Sequence, residues 1–172
     1  MKKVKKVIMF LILIAVIAGI FIFSSHTGTE SSAISSKITR LISRIIFRNF
    51  SEMSLSQQEF IVSELDPFVR KLAHFTVYAL LGALMYWFIM LTELRLPFTF
   101  ILSWVFCTIY AASDEYHQSF TPGRSMNFRD VVIDSSGALC GIIAAMIIVI
   151  VFRYIVSGLK ASEGSKGTAD PT

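Results

Sequence analysis

The side chains able to do chemistry gather in a few short stretches. SDEYHQSFTPGRSMNFRDVVID, residues 113–134, holds Asp114, Glu115, His117, Gln118, Arg124, Asp130 and Asp134. RKLAH adds Arg70, Lys71 and His74, and Tyr78 follows one helical turn later. Carboxylates beside a histidine are the ingredients of acid–base catalysis, which makes His74, Asp114 and Glu115 the catalytic candidates. The same residues also suit a binding pocket. Lys71 and Arg124 would attract an anion, Arg124 through a planar fork that matches phosphate or carboxylate. His74, Tyr78, Asp114 and Gln118 would orient the ligand by hydrogen bonds. HExxH and CxxC spacings are absent, and neither a metal nor another cofactor is expected. A Ser-His-Asp site drawn from Ser24 or Ser25 with His74 and Asp114 has no nucleophile elbow to support it.

Apolar runs surround these polar stretches. The chain has 172 residues, 54% of them hydrophobic and only 16% charged. Soluble domains carry roughly 25% charged residues. The expected fold class is all-α, an integral membrane bundle of four transmembrane helices in one domain, 1–156. The spans fall at about 7–23, 70–91, 97–116 and 131–156. Lys2, Lys3, Lys5 and Lys6 precede the first run. That run is longer than a signal-peptide core and FIFSSHTG is a poor cleavage site, so it reads as an uncleaved helix. Asp66-Pro67 reads as N-cap and first residue of the second span. The third span reaches an adequate length only by continuing into Asp114–Gln118. Cys107 and Cys140 lie in apolar runs and read as packing residues. The tail, 157–172, is rich in Gly, Ser, Ala and Lys and is expected to be disordered.

Between the first two spans, AISSKITRLISRIIFRNF sets Ile34, Ile38, Leu41, Ile42, Ile45 and Ile46 at helical spacing. Lys37, Arg40, Arg44 and Arg48 take the opposite face. This basic amphipathic helix, about 33–50, is expected in the headgroup plane with its cations toward anionic lipid, or docked on a partner. Ser56-x-x-Glu59 has the pattern of a capping box opening a second short helix.

Four spans joined up and down bring the end of the first, the start of the second, the end of the third and the start of the fourth to one face. Those are the places where the polar residues gather. A small polar pocket at one end of the bundle follows, and that convergence holds for either orientation. The leading lysines argue for both termini in the cytoplasm and the pocket outside. Within the pocket, the TPGR turn would fold Arg124 back, either onto Asp114 or Glu115 or toward an outside anion. His74 is either a catalytic or ligand group or a hydrogen-bonded structural one. Asp130 is either a ligand or an N-cap, while Asp134 lies a turn deeper, where an acid marks an ion, proton or ligand site. Gly137 and Gly141 form a small-xxx-small pair for close helix packing, and offer a face for a homodimer.

FSSHTGTESSAISS, RKLAHFTVYALLG, SDEYHQSFTPGR and RDVVIDSSGALCG, in that order, resemble the VanZ-like family of small bacterial membrane proteins. The pairing of DExxQ with PGR is the specific part. The resemblance implies family positions at Ser24, Ser25, Lys71, His74, Tyr78, Asp114, Glu115, Gln118, Gly123, Arg124, Asp130, Asp134 and Gly137. His26 and Asp134 depart from the pattern, the latter from an asparagine. It also implies a bacterial cell membrane and a link to low-level resistance to the glycopeptide teicoplanin. The expected function is binding of a lipid or lipid-linked cell-wall precursor, with no nucleic-acid partner. A membrane enzyme acting on a lipid-linked substrate and a small proton-coupled transporter or flippase are the rivals.

Overall fold

A computed structural model describes residues 2–166, with side chains over 3–158. The described residues form five α-helices: α1 (Lys2–Ser24), α2 (Gly28–Ile46), α3 (Leu55–Met90), α4 (Leu96–Gln118) and α5 (Phe128–Lys166). A short 3-10 turn, Phe50–Glu52, lies between α2 and α3. Four of the helices, α1, α3, α4 and α5, are long and apolar enough to cross a membrane. Their outer surfaces are apolar: Phe10 and Leu11 on α1, Phe98 and Ile109 on α4, and Ile148 and Phe152 on α5 are all exposed. Their inner surfaces include Thr99 and Ser103, both fully buried. Leu81, Tyr86 and Ile142 are buried beside them, so it is the apolar exterior that departs from a water-soluble bundle; it suits hydrocarbon as the solvent, because apolar surface has nothing to gain there by hiding.

Close backbone approach holds the bundle together instead. A Cβ on Gly137 would collide with the Phe75 carbonyl, and one on Gly141 with the Ala79 carbonyl. Gly82 meets the Ala138 backbone in the same way. These glycines bring α3 and α5 into the most extensive pairing of the fold. The Gly137/Gly141 face, expected to serve a homodimer, is therefore occupied by α3 of the same chain. Hydrogen bonds add the remaining ties. Tyr110 donates to the Ile17 carbonyl at 2.8 Å, joining α4 to α1, and Thr108 and Ser135 lie 2.7 Å apart, joining α4 to α5. Cys107 is buried among these helices, whereas Cys140 is exposed and not a packing residue.

α3 departs most from the sequence expectation. It opens one residue after Ser54, whose hydroxyl accepts from the Gln57 amide while the Gln57 side chain accepts from the Ser54 amide. The capping box is therefore Ser54–Gln57, not Ser56–Glu59. The helix then runs unbroken for 36 residues through Pro67. At about 1.5 Å per residue that is ~54 Å, far more than a ~30 Å hydrocarbon core, so the helix projects well past one surface. Asp66 is not an N-cap. It is buried inside the helix, and its carboxylate accepts from Ser35 Oγ at 3.0 Å, Thr39 Oγ1 at 3.1 Å and Arg70 Nη2 at 3.2 Å. A tertiary partner for α3, namely α2, overrides the local start signal of Asp66-Pro67.

α2 begins at Gly28, earlier than expected, behind a capping box of Thr27 and Glu30. It faces the protein with a stripe of Ser35, Thr39 and Ser43, which are all buried. Ile34, Ile38, Leu41, Ile45 and Ile46 stay exposed. Its apolar face is thus left free, as an interfacial helix requires. At the other end, α5 continues to Lys166, into the tail expected to be disordered; the rest of that tail, 167–172, lies outside the described residues.

Candidate functional site

The polar helix ends do converge. A cleft of about 300 Å3 opens between the outer part of α3, the end of α4, the 119–127 connection and the start of α5. α3 supplies Pro67, Arg70, Lys71 and His74. α4 supplies Glu115 and Gln118, the connection supplies Gly123, Arg124, Ser125 and Asn127, and α5 supplies Asp130, Ile133 and Asp134. Two contacts bridge α3 and α5 along one wall: the Lys71 Nζ to Asp130 Oδ1 ion pair at 3.9 Å, and His74 Nδ1 facing Asp134 Oδ2 at 3.7 Å, an ion pair only when the histidine carries its second proton. They follow from the glycine packing below them, which holds the two helices close enough for side chains of this length to meet.

Tyr78 and Asp114, both expected to touch a ligand, stand behind the wall. Tyr78 is 1% and Asp114 4% exposed, and neither lines the cleft. Tyr78 donates its hydroxyl to Asp114 Oδ2 at 3.1 Å, and Gln118 Nε2 donates to the same oxygen at 3.1 Å. Gln118 Nε2 also reaches Ser24 Oγ at 3.2 Å, which ties α1 into the site. The amide of Gln118 is oriented by these bonds, and its Oε1 accepts from Arg124 Nη1 at 2.8 Å. A relay of four side chains therefore runs from the buried phenol to the guanidinium at the cleft.

The turn that carries Arg124 has the expected form. The Arg124 amide donates to the Thr121 carbonyl at 3.1 Å, and Gly123 sits at φ +76°, a backbone state that glycine adopts without strain. Two contacts pin this turn in place. Gly28 N–H donates to the Pro122 carbonyl at 3.0 Å, and Gly28 lies so close to the Gly123 backbone that a side chain there would collide with it. On the other flank, Glu115 Oε1 accepts from the Asn127 amide at 2.7 Å. Glu115 thus anchors the connection as well as lining the cleft.

Arg124 does not pair with Asp114 or Glu115. Among the described residues it has no carboxylate within ion-pair distance. Burial, and then the neighbouring Arg70, lower its pKa from the ordinary arginine value, while Asp114 and Glu115 oppose them. A guanidinium nevertheless stays charged at neutral pH. Asp130 is not the N-cap either: Asn127 Oδ1 accepts from the Arg129 amide at 3.1 Å and fills that role. Among the described residues, the serine triad drawn from Ser24 or Ser25 with His74 and Asp114 does not form. Ser24 bonds Gln118, and Ser25 Oγ donates to the Phe21 carbonyl at 2.8 Å and lies 3.2 Å from His117 Nε2.

Sequence reasoning missed Asp66 as the organiser of Arg70. Arg70 Nη2 donates to Asp66 and, at 2.9 Å, to Ser32 Oγ on α2. The Ser35, Thr39, Ser43 stripe was the available signal, since hydroxyls at i, i+4, i+8 mark a face that meets another helix through polar contacts.

Four apolar helices around an end-on polar cleft define a small polytopic membrane protein. The VanZ/LLP1 family model matches residues 9–151, and the chain belongs to that family. No curated protein matches it, and neither does any solved structure.

Proposed function

We propose that the protein resides in the bacterial cell envelope and that its cleft, on the outer face, binds the anionic group of a membrane lipid or lipid-linked cell-wall precursor. The observation that carries this reading is Arg124. It is half-buried, aligned by Gln118, and without a carboxylate partner among the described residues, in a cleft that also holds Arg70 and Lys71. A guanidinium positioned and left unneutralised is a receptor for an oxyanion. Pro67 and Ile133 supply apolar surface beside it. Occupancy of such a site would change what a glycopeptide such as teicoplanin meets at the membrane surface, a route to the resistance that the family resemblance implies.

The test is mass spectrometry of lipids that travel with gently purified wild-type and Arg124→Ala protein. A lipid species retained by the wild type and lost from the variant is the expected result. The same lipids in equal amounts from two folded proteins would remove the reading.

One observation favours an enzymatic reading of the same cleft. His74 faces Asp134 through Nδ1 at 3.7 Å, the arrangement in which an acid orients a histidine base. Comparison of envelope lipids from a deletion strain and its parent separates the two. An accumulated substrate favours the enzyme, and an unchanged lipid profile favours binding alone.

A further inference from the structure

We infer that the cleft selects a dipolar head, a phosphate ester bearing a primary ammonium, with the phosphate on Arg124 and the ammonium on Asp134. The inference rests on the lipid-binding reading above and adds the charge pattern of the ligand. Three cationic side chains line the cleft, Arg70, Lys71 and Arg124, and so do three carboxylates, Glu115, Asp130 and Asp134. A purely anionic head, above all a diphosphate, would meet repulsion from the acidic side of such a site.

The existing partners show which groups remain open. Arg70 is held by Asp66, and Lys71 faces Asp130. Glu115 Oε1 is taken by the Asn127 amide. Arg124 uses Nη1 on a neutral amide oxygen and, among the described residues, has no carboxylate within ion-pair distance. Asp134 is 2% exposed, and His74 lies at 3.7 Å from its Oδ2, beyond good hydrogen-bond length. Among the described residues its Oδ1 meets no hydrogen-bond donor. One turn earlier on α5, Asp130 Oδ1 also lacks a hydrogen bond. A buried carboxylate oxygen without a donor is costly, and an ammonium meets both its hydrogen-bonding and its charge requirement. A hydroxyl meets only the first. Beside Arg124, the cleft therefore holds two carboxylate oxygens that lack a hydrogen bond among the described residues, Asp130 Oδ1 with Lys71 at 3.9 Å and Asp134 Oδ1 on the carboxylate that faces His74, and this pattern is the complement of a phosphate linked to an amine.

The measurement is a lipid titration of the full chain in detergent, read by native mass spectrometry. The probes are phosphatidylethanolamine, its N-trimethylated counterpart phosphatidylcholine, and phosphatidylglycerol. Wild type should prefer phosphatidylethanolamine to each of the others by about tenfold, the effect expected of one charge-assisted hydrogen bond. Asp134→Asn should bring that preference to within about twofold, while Arg124→Ala should weaken all three lipids. Soluble O-phosphoethanolamine distinguishes the sources: competition at millimolar concentration means that the head alone is recognised, and its failure beside tight lipid binding assigns the ligand to the bilayer. Equal wild-type affinity for the three lipids, or a preference that survives Asp134→Asn, overturns the ammonium subsite. If binding still depends on Arg124, the broader lipid reading stands. If no lipid shows that dependence, both fall. The wild-type comparison decides the matter even where a variant does not fold.

Discussion

Replacement of Asp66 by alanine should loosen α2 from α3. The carboxylate is 8% exposed and collects three donors, from Ser35, Thr39 and Arg70. A hydroxyl donating to a charged acceptor is worth about 1.5–3 kcal/mol. Ser35 retains the Ser32 carbonyl at 3.2 Å and Thr39 the Ser35 carbonyl at 2.9 Å, so both losses belong at the low end of that range. The Arg70 side chain is 40% exposed and keeps Ser32, so its ion pair adds less than about 1 kcal/mol. The sum is about 3 kcal/mol, which multiplies the equilibrium for local opening by roughly 150. Hydrogen exchange of α2 amides, with wild type and variant in the same detergent, reads this directly. Asp66→Asn, which keeps one acceptor oxygen, should show an intermediate effect. Unchanged α2 exchange in a folded Asp66→Ala protein would refute the claim that this carboxylate holds the helix. The variant should also widen the range of Arg70 positions at the cleft, since its fixed partner is gone.

Gly141→Leu should destabilise the bundle by about 1–3 kcal/mol or more, because the new side chain meets the Ala79 backbone and not a movable side chain; a melting curve checks this, and a normal melting temperature with a changed oligomeric state would return that face to the dimer. Glu30 is held below its ordinary carboxylate pKa, first by the Thr27 backbone N–H and then by the Thr27 hydroxyl. Its contribution to α2 is therefore full above the unfolded value of about 4.3 and disappears as pH falls through the lower folded value. An NMR titration of the Glu30 carboxyl should show that depression, and Thr27→Ala should move the midpoint back toward about 4.3; a midpoint that does not respond sinks the cap assignment.

Much of this protein was determined by its sequence alone. Long apolar runs with few charges can satisfy their backbones only as helices in hydrocarbon, so the four spans were legible from composition and length. Up-and-down connectivity then forced four polar segments to one end. At that end Ser24, His74, Gln118 and Asp134 each bond or pair with a residue from a different helix. The Pro122-Gly123 turn was equally legible, because its requirement is local. What depended on tertiary structure was the choice among partners. Arg124 had two carboxylates within reach of its turn and bonds Gln118 instead, because Tyr78 and Gln118 already hold Asp114 and the Asn127 amide holds Glu115. Asp66 read locally as a helix start, yet it lies inside α3, about three turns from its first residue, where hydroxyls from a helix about thirty residues earlier surround it. Gly137 and Gly141 announced a close contact without naming the neighbour, which proved to be α3. Periodicity and turn chemistry act over a few residues, so they place elements. Which carboxylate meets which cation depends on distances set by helix packing, and no local pattern encodes those.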